Sequence, residues 1–180
     1  MISTLTTPRL TLRPHRLDDF DALAAMWADP RVTQYITGRP STAELSWARL
    51  LRYAGHWALL GFGYWALEDC ASGAFVGEAG FADYHREIDP PLVDVPEIGW
   101  VLAPAFFGRG YATEAVRAIV AWGDARFAGA RTACLIDPQN RASVRVAEKC
   151  GYREAARTTY HGDPTLLFER FPAGAANDSG

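Results

Sequence analysis

The stretch Glu97-Ile98-Gly99-Trp100-Val101-Leu102-Ala103-Pro104-Ala105-Phe106-Phe107-Gly108-Arg109-Gly110-Tyr111-Ala112-Thr113-Glu114-Ala115 decides the fold. It reads as a strand (Glu97 to Leu102), a glycine-bearing loop (Pro104 to Gly110) and the opening of an amphipathic helix from Tyr111 to Phe127. Ala112, Ala115, Val116, Ile119, Val120 and Phe127 mark one apolar face of that helix. The first turn of a helix has backbone N–H groups without internal partners and carries the positive end of the helix dipole, so it suits an anion. Gly108 and Gly110 tolerate positive φ and let the backbone approach such an anion closely. A plain strand-to-helix turn is the competing reading. No Gly-Lys-Ser/Thr follows, which excludes a Walker loop. The third glycine of the dinucleotide fingerprint is missing too.

Outward from this stretch the chain alternates strands and helices. Upstream lie a strand at Leu10–Pro14, a helix from Asp18-Asp19 through Trp27 that stops at Asp29-Pro30, and a second helix from about Ser41 to about Leu60. Tyr64–Leu67 and Phe75–Phe81 form a hairpin around Ala71-Ser72-Gly73, followed by a long polar loop over 83–96. Downstream come a strand at Thr132–Ile136 and a short helix at Ser143–Lys149. Strands at Tyr152–Thr159 and Leu166–Phe171 follow, around a turn at Gly162-Asp163-Pro164. The order predicts one mixed α/β domain over residues 1–171, with a flexible tail over 172–180.

Composition narrows the function classes. The chain has 180 residues, 49% of them hydrophobic and 22% charged, which suits one soluble domain. A net charge of -3 without a Lys/Arg block speaks against nucleic acid and a membrane surface. No apolar run approaches the ~18 residues needed to span a bilayer. The first thirteen residues lack the apolar core of a signal peptide, so a cytoplasmic location is expected. Cys70, Cys134 and Cys150 have neither a disulfide framework nor zinc-ligand spacing, and no metal is expected. His15, His56, His85 and His161 are dispersed and read as surface or turn residues.

Phe107-Gly108-Arg109-Gly110-Tyr111-Ala112 resembles the acyl-CoA signature Gln/Arg-x-x-Gly-x-Gly/Ala of the GNAT N-acetyltransferases, with Phe107 replacing the leading polar residue. Trp100 to Ala115 is similar to the branch typified by ribosomal-protein N-terminal acetyltransferases. Two further stretches share that resemblance. One is Thr7-Pro-Arg-Leu-Thr-Leu-Arg-Pro14 with Asp29-Pro-Arg-Val-Thr-Gln-Tyr35. The other is Asn140-Arg-Ala-Ser143 with Glu148-Lys-Cys-Gly-Tyr152. Together they cover about residues 5–170.

The resemblance implies a GNAT fold: a V-splayed, mostly antiparallel seven-stranded sheet flanked by about four helices. The strands at Glu97–Leu102 and Thr132–Ile136 would part, and the thioester arm of acetyl-CoA would enter the gap. Pantetheine would bond along Trp100, Val101, Leu102 and Ala103. Pyrophosphate would sit on the amides around Phe107, Gly108, Arg109, Gly110, Tyr111, Ala112 and Thr113, with Asn140 and Ser143 across the cleft. The implied reaction is transfer of an acetyl group to a primary amine, on a small molecule or a protein N-terminus. A non-catalytic acyl-CoA-binding or regulatory protein of the same fold is the alternative.

Amine attack on a thioester needs a neutral amine, a donor for the oxyanion and a proton for the departing thiolate. A backbone N–H near Val101 is the expected oxyanion donor. Glu97 is the expected base; it shares a strand face with Gly99 and Val101 but stands on the order of 13 Å from Val101, so it would work through water. It reads equally well as a solvated strand-end carboxylate. Glu78, Asp83 and His85 are its rivals. Ser143 is the family-matched group at the sulfur, because the tyrosine many relatives carry seven residues past the motif asparagine is Ala147 here. Helix capping is the competing role for Ser143 and Asn140. Asp83, Glu87, Asp89, Asp94 and Glu97 would draw in a cationic amine if their loop borders the acceptor pocket, and otherwise form a solvated loop. Tyr35 to Arg39 and the following helix would wall the other side. The sequence leaves monomer and homodimer open.

Overall fold

The computed structural model describes residues 2–172; the rest of the expected tail lies outside them. Eight strands form one sheet in the order β1-β2-β3-β4-β5-β6-β8-β7. They are β1 (Leu5–Thr6), β2 (Leu10–Arg13), β3 (Tyr64–Asp69), β4 (Phe75–Ala82), β5 (Glu97–Leu102), β6 (Thr132–Ile136), β7 (Arg153–Tyr160) and β8 (Asp163–Arg170). The eighth strand beyond the expected seven is the two-residue β1, too short to carry a sequence signal. Five helices flank the sheet: α1 (Phe20–Ala28), α2 (Pro30–Thr33), α3 (Ala43–Leu60), α4 (Tyr111–Arg126) and α5 (Arg141–Lys149).

Two boundaries differ from expectation for local reasons. Thr42, not Ser41, caps α3, because its side chain accepts the N–H of Leu45. The β7–β8 turn falls at His161-Gly162, both with positive φ, so Asp163 and Pro164 already belong to β8. Two residues with positive φ match the right-handed twist of a hairpin.

The period-two alternation of the strands sorts the core into two layers. Trp65, Phe81, Ile98 and Leu102 pack with Ala115, Val116 and Ile119 of α4 on one face. Tyr64, Ala82 and Val101 pack with Leu23, Trp27, Leu50 and Tyr53 from α1 and α3 on the other. Cross-strand register puts Glu78 opposite Val101, Gly80 opposite Gly99 and Ala82 opposite Glu97. Glu97, Gly99, Val101 and Glu78 therefore share the α1/α3 face.

Among the described residues only β5 and β6 run parallel, and they register at a single pair, Glu97 with Ala133. The Ala133 N–H donates to the Pro96 carbonyl at 3.1 Å, and beyond this point the strands part. That divergence opens the site.

Candidate active site

The parted strands lead into a cavity of about 1170 Å³. Ile98 to Val101 of β5 form one edge, Cys134 to Asp137 of β6 the other, with Asn140 and Ser143 beside them. The opposite wall is Gln34 to Ser41 and the inner face of α3, as the resemblance implies. The β7–β8 turn closes the rim through Tyr160, His161 and Asp163.

The Ala103 N–H donates to the Val76 carbonyl at 2.8 Å, which sets the alternation along β5. Residues 97, 99, 101 and 103 turn their backbone polar groups toward β4. Ile98, Trp100 and Leu102 turn theirs toward the gap. The N–H of Val101 itself thus belongs to the β4 ladder, and the open-edge donors near it are those of Trp100 and Leu102.

The glycine loop continues from this edge. Phe107 closes a 3-10 turn by donating to the Pro104 carbonyl at 3.2 Å. From Gly108 through Thr113 no backbone N–H has a partner among the described residues, until Glu114 N–H returns to the Gly110 carbonyl at 3.1 Å. Gly108 and Gly110 have φ of 70° and 82°. A Cβ on Gly108 would meet nothing, so the approach to these amides is open. Phe107 lies at the surface, 43% exposed. The loop is braced from behind: Arg9 binds Glu114 with its guanidinium at 2.6 Å, donates to the Arg109 carbonyl at 2.9 Å and lies over the Tyr111 ring. Thr7 Oγ1 donates to the same Glu114 carboxylate at 2.7 Å. Burial pulls the Glu114 carboxyl up, and these hydrogen bonds and the Arg9 charge outweigh it, holding it below its ordinary value.

Across the cleft, Asn140 caps α5 by accepting the Ser143 N–H at 3.1 Å. The Ser143 hydroxyl has no hydrogen-bond partner among the described residues and lines the cavity. Ala147 is fully buried in the core, so no side-chain hydroxyl reaches the cleft from that position.

Glu97 lines the cavity but is not free: Arg86 grips both its oxygens, at 2.5 and 2.7 Å. Of its rivals, Glu78 is fully buried and accepts from Trp27 Nε1 at 2.9 Å and from the Tyr53 hydroxyl. Asp83 accepts the His85 N–H, and neither lines the cavity. Glu97 is the cavity-lining member of the five-acid stretch, so the acidic loop does not border the acceptor side as a group. Arg39, Arg49, Arg52 and Arg86 line it instead. His15 and His56 also depart from a surface role: both side chains are buried, and His56 lies within hydrogen-bond distance of the Arg52 and Asp83 carbonyls.

Sequence reasoning missed the aromatic floor. Tyr64 stacks on Tyr53 at 4.8 Å and Tyr53 on His15 at 4.9 Å. A Cβ on Gly99 would overlap the Tyr64 hydroxyl, so the glycine makes room for that ring. Burial pushes the Tyr53 and Tyr64 hydroxyls well up, so they stay protonated. No groups of three or more potential metal ligands come together among the described residues.

The open strand edge, the unpartnered amides and the cleft between diverging strands lie within a fold shared with known acetyltransferases. A family model described as an acetyltransferase (GNAT) domain matches residues 9–153, and the chain belongs to this family of acetyltransferases. It is 32% identical to YkkB of Bacillus subtilis, over 92% of this chain and 94% of that protein. A GNAT-family acetyltransferase from Bordetella pertussis superposes with a TM-score of 0.82 at 35% identity, covering 93% of this chain and 99% of that one. The ribosomal L7/L12 α-N-protein acetyltransferase RimL, solved in complex with coenzyme A, shares the fold with a TM-score of 0.76 at 16% identity, over 94% and 98% of the two chains.

Proposed function

We propose that the protein is an acetyl-CoA-dependent N-acetyltransferase that hands the acetyl group directly to a primary amine. The observation that carries this reading is the single registered pair between β5 and β6, after which the strands diverge into the large cavity; the free amides of Gly108 to Thr113 lie on the loop and helix start that follow β5.

The residues present fit the coenzyme. A diphosphate fits the amides of Gly108 to Thr113, where no Cβ obstructs Gly108 and the α4 dipole favours negative charge. A pantetheine amide chain fits the unpaired edge of β5, with Trp100 and Leu102 offering backbone groups as a neighbouring strand would. Bound there, the coenzyme supplies an activated acetyl group. The N–H of Trp100 or Leu102 would donate to the developing oxyanion as a fixed dipole. Ser143, whose hydroxyl has no partner among the described residues, would hydrogen-bond the thioester sulfur or relay a proton to it from water. Glu97 is the carboxylate through which the incoming amine loses its proton, by way of water, once Arg86 releases one oxygen.

Calorimetry with acetyl-CoA, followed by thiol release across a panel of amines and peptides, tests the reading. Heat on titration and thiol release with at least one amine support it. Binding without release from any amine identifies a non-catalytic acyl-CoA-binding protein. No heat with acetyl-CoA overturns both.

A further inference from the structure

We propose that the amine acceptor also carries a carboxylate, and that Arg49 and Arg52 on α3 hold it; this rests on the acetyltransferase reading and names the substrate class of the same cavity. The cavity wall from Trp27 to Tyr53 contributes Arg39, Arg49 and Arg52 and no Asp or Glu. The Arg49 guanidinium lies over the Trp27 ring at 3.5 Å from its centroid. Its Nη1 is shut off from solvent and has no hydrogen-bond partner. A buried charged donor without an acceptor is destabilising. An anionic ligand that contacts the guanidinium would supply the missing acceptor.

Arg52 follows three residues along the same helix face. It lies 5.3 Å from the Tyr84 centroid and 5.9 Å from that of Tyr53. Neither Arg49 nor Arg52 has a carboxylate within ion-pair distance among the described residues, whereas Arg86 in the same cavity is held by Glu97 at 2.5 Å. Glu78 meets the edge of the Trp27 indole, but its oxygens face Trp27, Tyr53 and His15 rather than Arg49. A guanidinium held over an aromatic ring can still offer N–H groups at its edge, and two such groups take a carboxylate at two points. The β5 side of the cavity offers Glu97 to the amine end. A polyamine would press positive charge against three guanidinium groups that lack counter-ions.

The carboxylate can belong to a free amino acid or to an acidic residue next to a peptide N-terminus, and both enter the test. The probes are the common L-amino acids and β-alanine with their methyl esters, the dipeptides Ala-Glu and Ala-Gln as C-terminal amides, and spermine. The expected result is a kcat/KM at least tenfold higher for an acid than for its ester, or for Ala-Glu than for Ala-Gln. Arg49→Met or Arg52→Met then lowers it by tenfold or more for the acid and by less for the ester. Acid and ester used equally, spermine preferred over every acid, or arginine variants that weaken both alike would overturn the proposal. Should no amine turn over, the acetyltransferase reading fails, and calorimetry of the coenzyme A complex with the same probes decides this one. Arginine-dependent binding of an acid without its ester sustains it, and no such binding ends it. The exposed Arg52 variant keeps the test intact if Arg49→Met misfolds.

Discussion

Arg86 holds Glu97 at two points, 2.5 and 2.7 Å, on the acceptor side of the cleft, and both side chains are mostly shielded from solvent. Removing one partner of such a pair leaves the other charge uncompensated, at about 3–5 kcal/mol when burial is complete. Arg86 keeps some exposure, so Glu97→Gln should cost about 2–3 kcal/mol in urea unfolding. In the proposed role of relaying the amine proton, loss of the Glu97 carboxylate should lower kcat about 100-fold with the coenzyme Kd unchanged. The variant's rate should climb with pH as the free amine population grows. A variant with normal kcat and only reduced stability would leave Glu97 a structural ion-pair partner.

Gly99 and Tyr64 interlock across the α1/α3 face, where a Cβ at position 99 would overlap the Tyr64 hydroxyl. Gly99→Ala should therefore destabilise the protein by about 1–3 kcal/mol, the usual cost of overpacking. Tyr64→Phe removes the overlapping oxygen, so the double variant Gly99→Ala/Tyr64→Phe should regain part of that loss. Thermal unfolding of the four proteins gives the coupling energy directly. Additive losses would show that the strand moves rather than the ring.

Much of the scaffold was legible because its signals are local. Ile98, Leu102 and the Ala115–Val116–Ile119 stripe follow strand and helix periods, and both cleft strands, Glu97–Leu102 and Thr132–Ile136, match the expected bounds. The glycine loop was legible through its residue types and its resemblance to a known signature. The acceptor wall was legible in outline through the resemblance at Tyr35 to Arg39 and the helix after it; the aromatic floor was not, because its contacts join distant segments: Trp27 meets Glu78 fifty-one residues away, and Tyr53 meets it at twenty-five. The acidity of the 83–97 stretch left a cation-attracting rim and a solvated loop both open; Glu97 is the acid of that stretch that reaches the cavity, and Arg86 neutralises it. Arg49 and Arg52, spaced to share one helix face, were the available signal for the opposite charge.

Gly110 caps α4 with φ of 82° in the left-handed region and leads into the free amides. An L side chain in that conformation costs about 1–2 kcal/mol. A Cβ there would also stand 3.5 Å from the Arg9 guanidinium that braces the loop. Gly110→Ala should lower stability by about that backbone cost and shift the amides out of line, weakening coenzyme A binding at least tenfold by calorimetry. Dephospho-coenzyme A keeps the diphosphate, so its affinity should fall by the same factor. Pantetheine lacks the diphosphate and should be affected far less, which separates a loop effect from general loosening of the cleft.

The entry to α1, the helix that carries Trp27, is fixed by a charge cluster with a predictable acid response. Arg13 binds Asp19 at 2.7 and 2.8 Å and Glu68 at 2.6 Å, and the Arg16 N–H adds a further hydrogen bond to Asp19 at 2.7 Å. Burial pulls the Asp19 carboxyl up, but the Arg13 hydrogen bonds, the Arg16 N–H and the Arg13 charge outweigh it and hold it below its ordinary value of 3.8. A carboxyl depressed on folding contributes stability that is fully present above its unfolded value and is lost as pH falls through the folded one. Asp19→Asn should therefore cost about 2–4 kcal/mol at pH 7, since it strands a mostly buried Arg13. The gap between the two proteins should stay constant down to about pH 4 and narrow below it as the native carboxyl takes up its proton. Urea unfolding from pH 7 to pH 3 at fixed ionic strength measures both curves. A gap that stays open at pH 3 would place the contribution of Asp19 in hydrogen-bond geometry rather than in its charge.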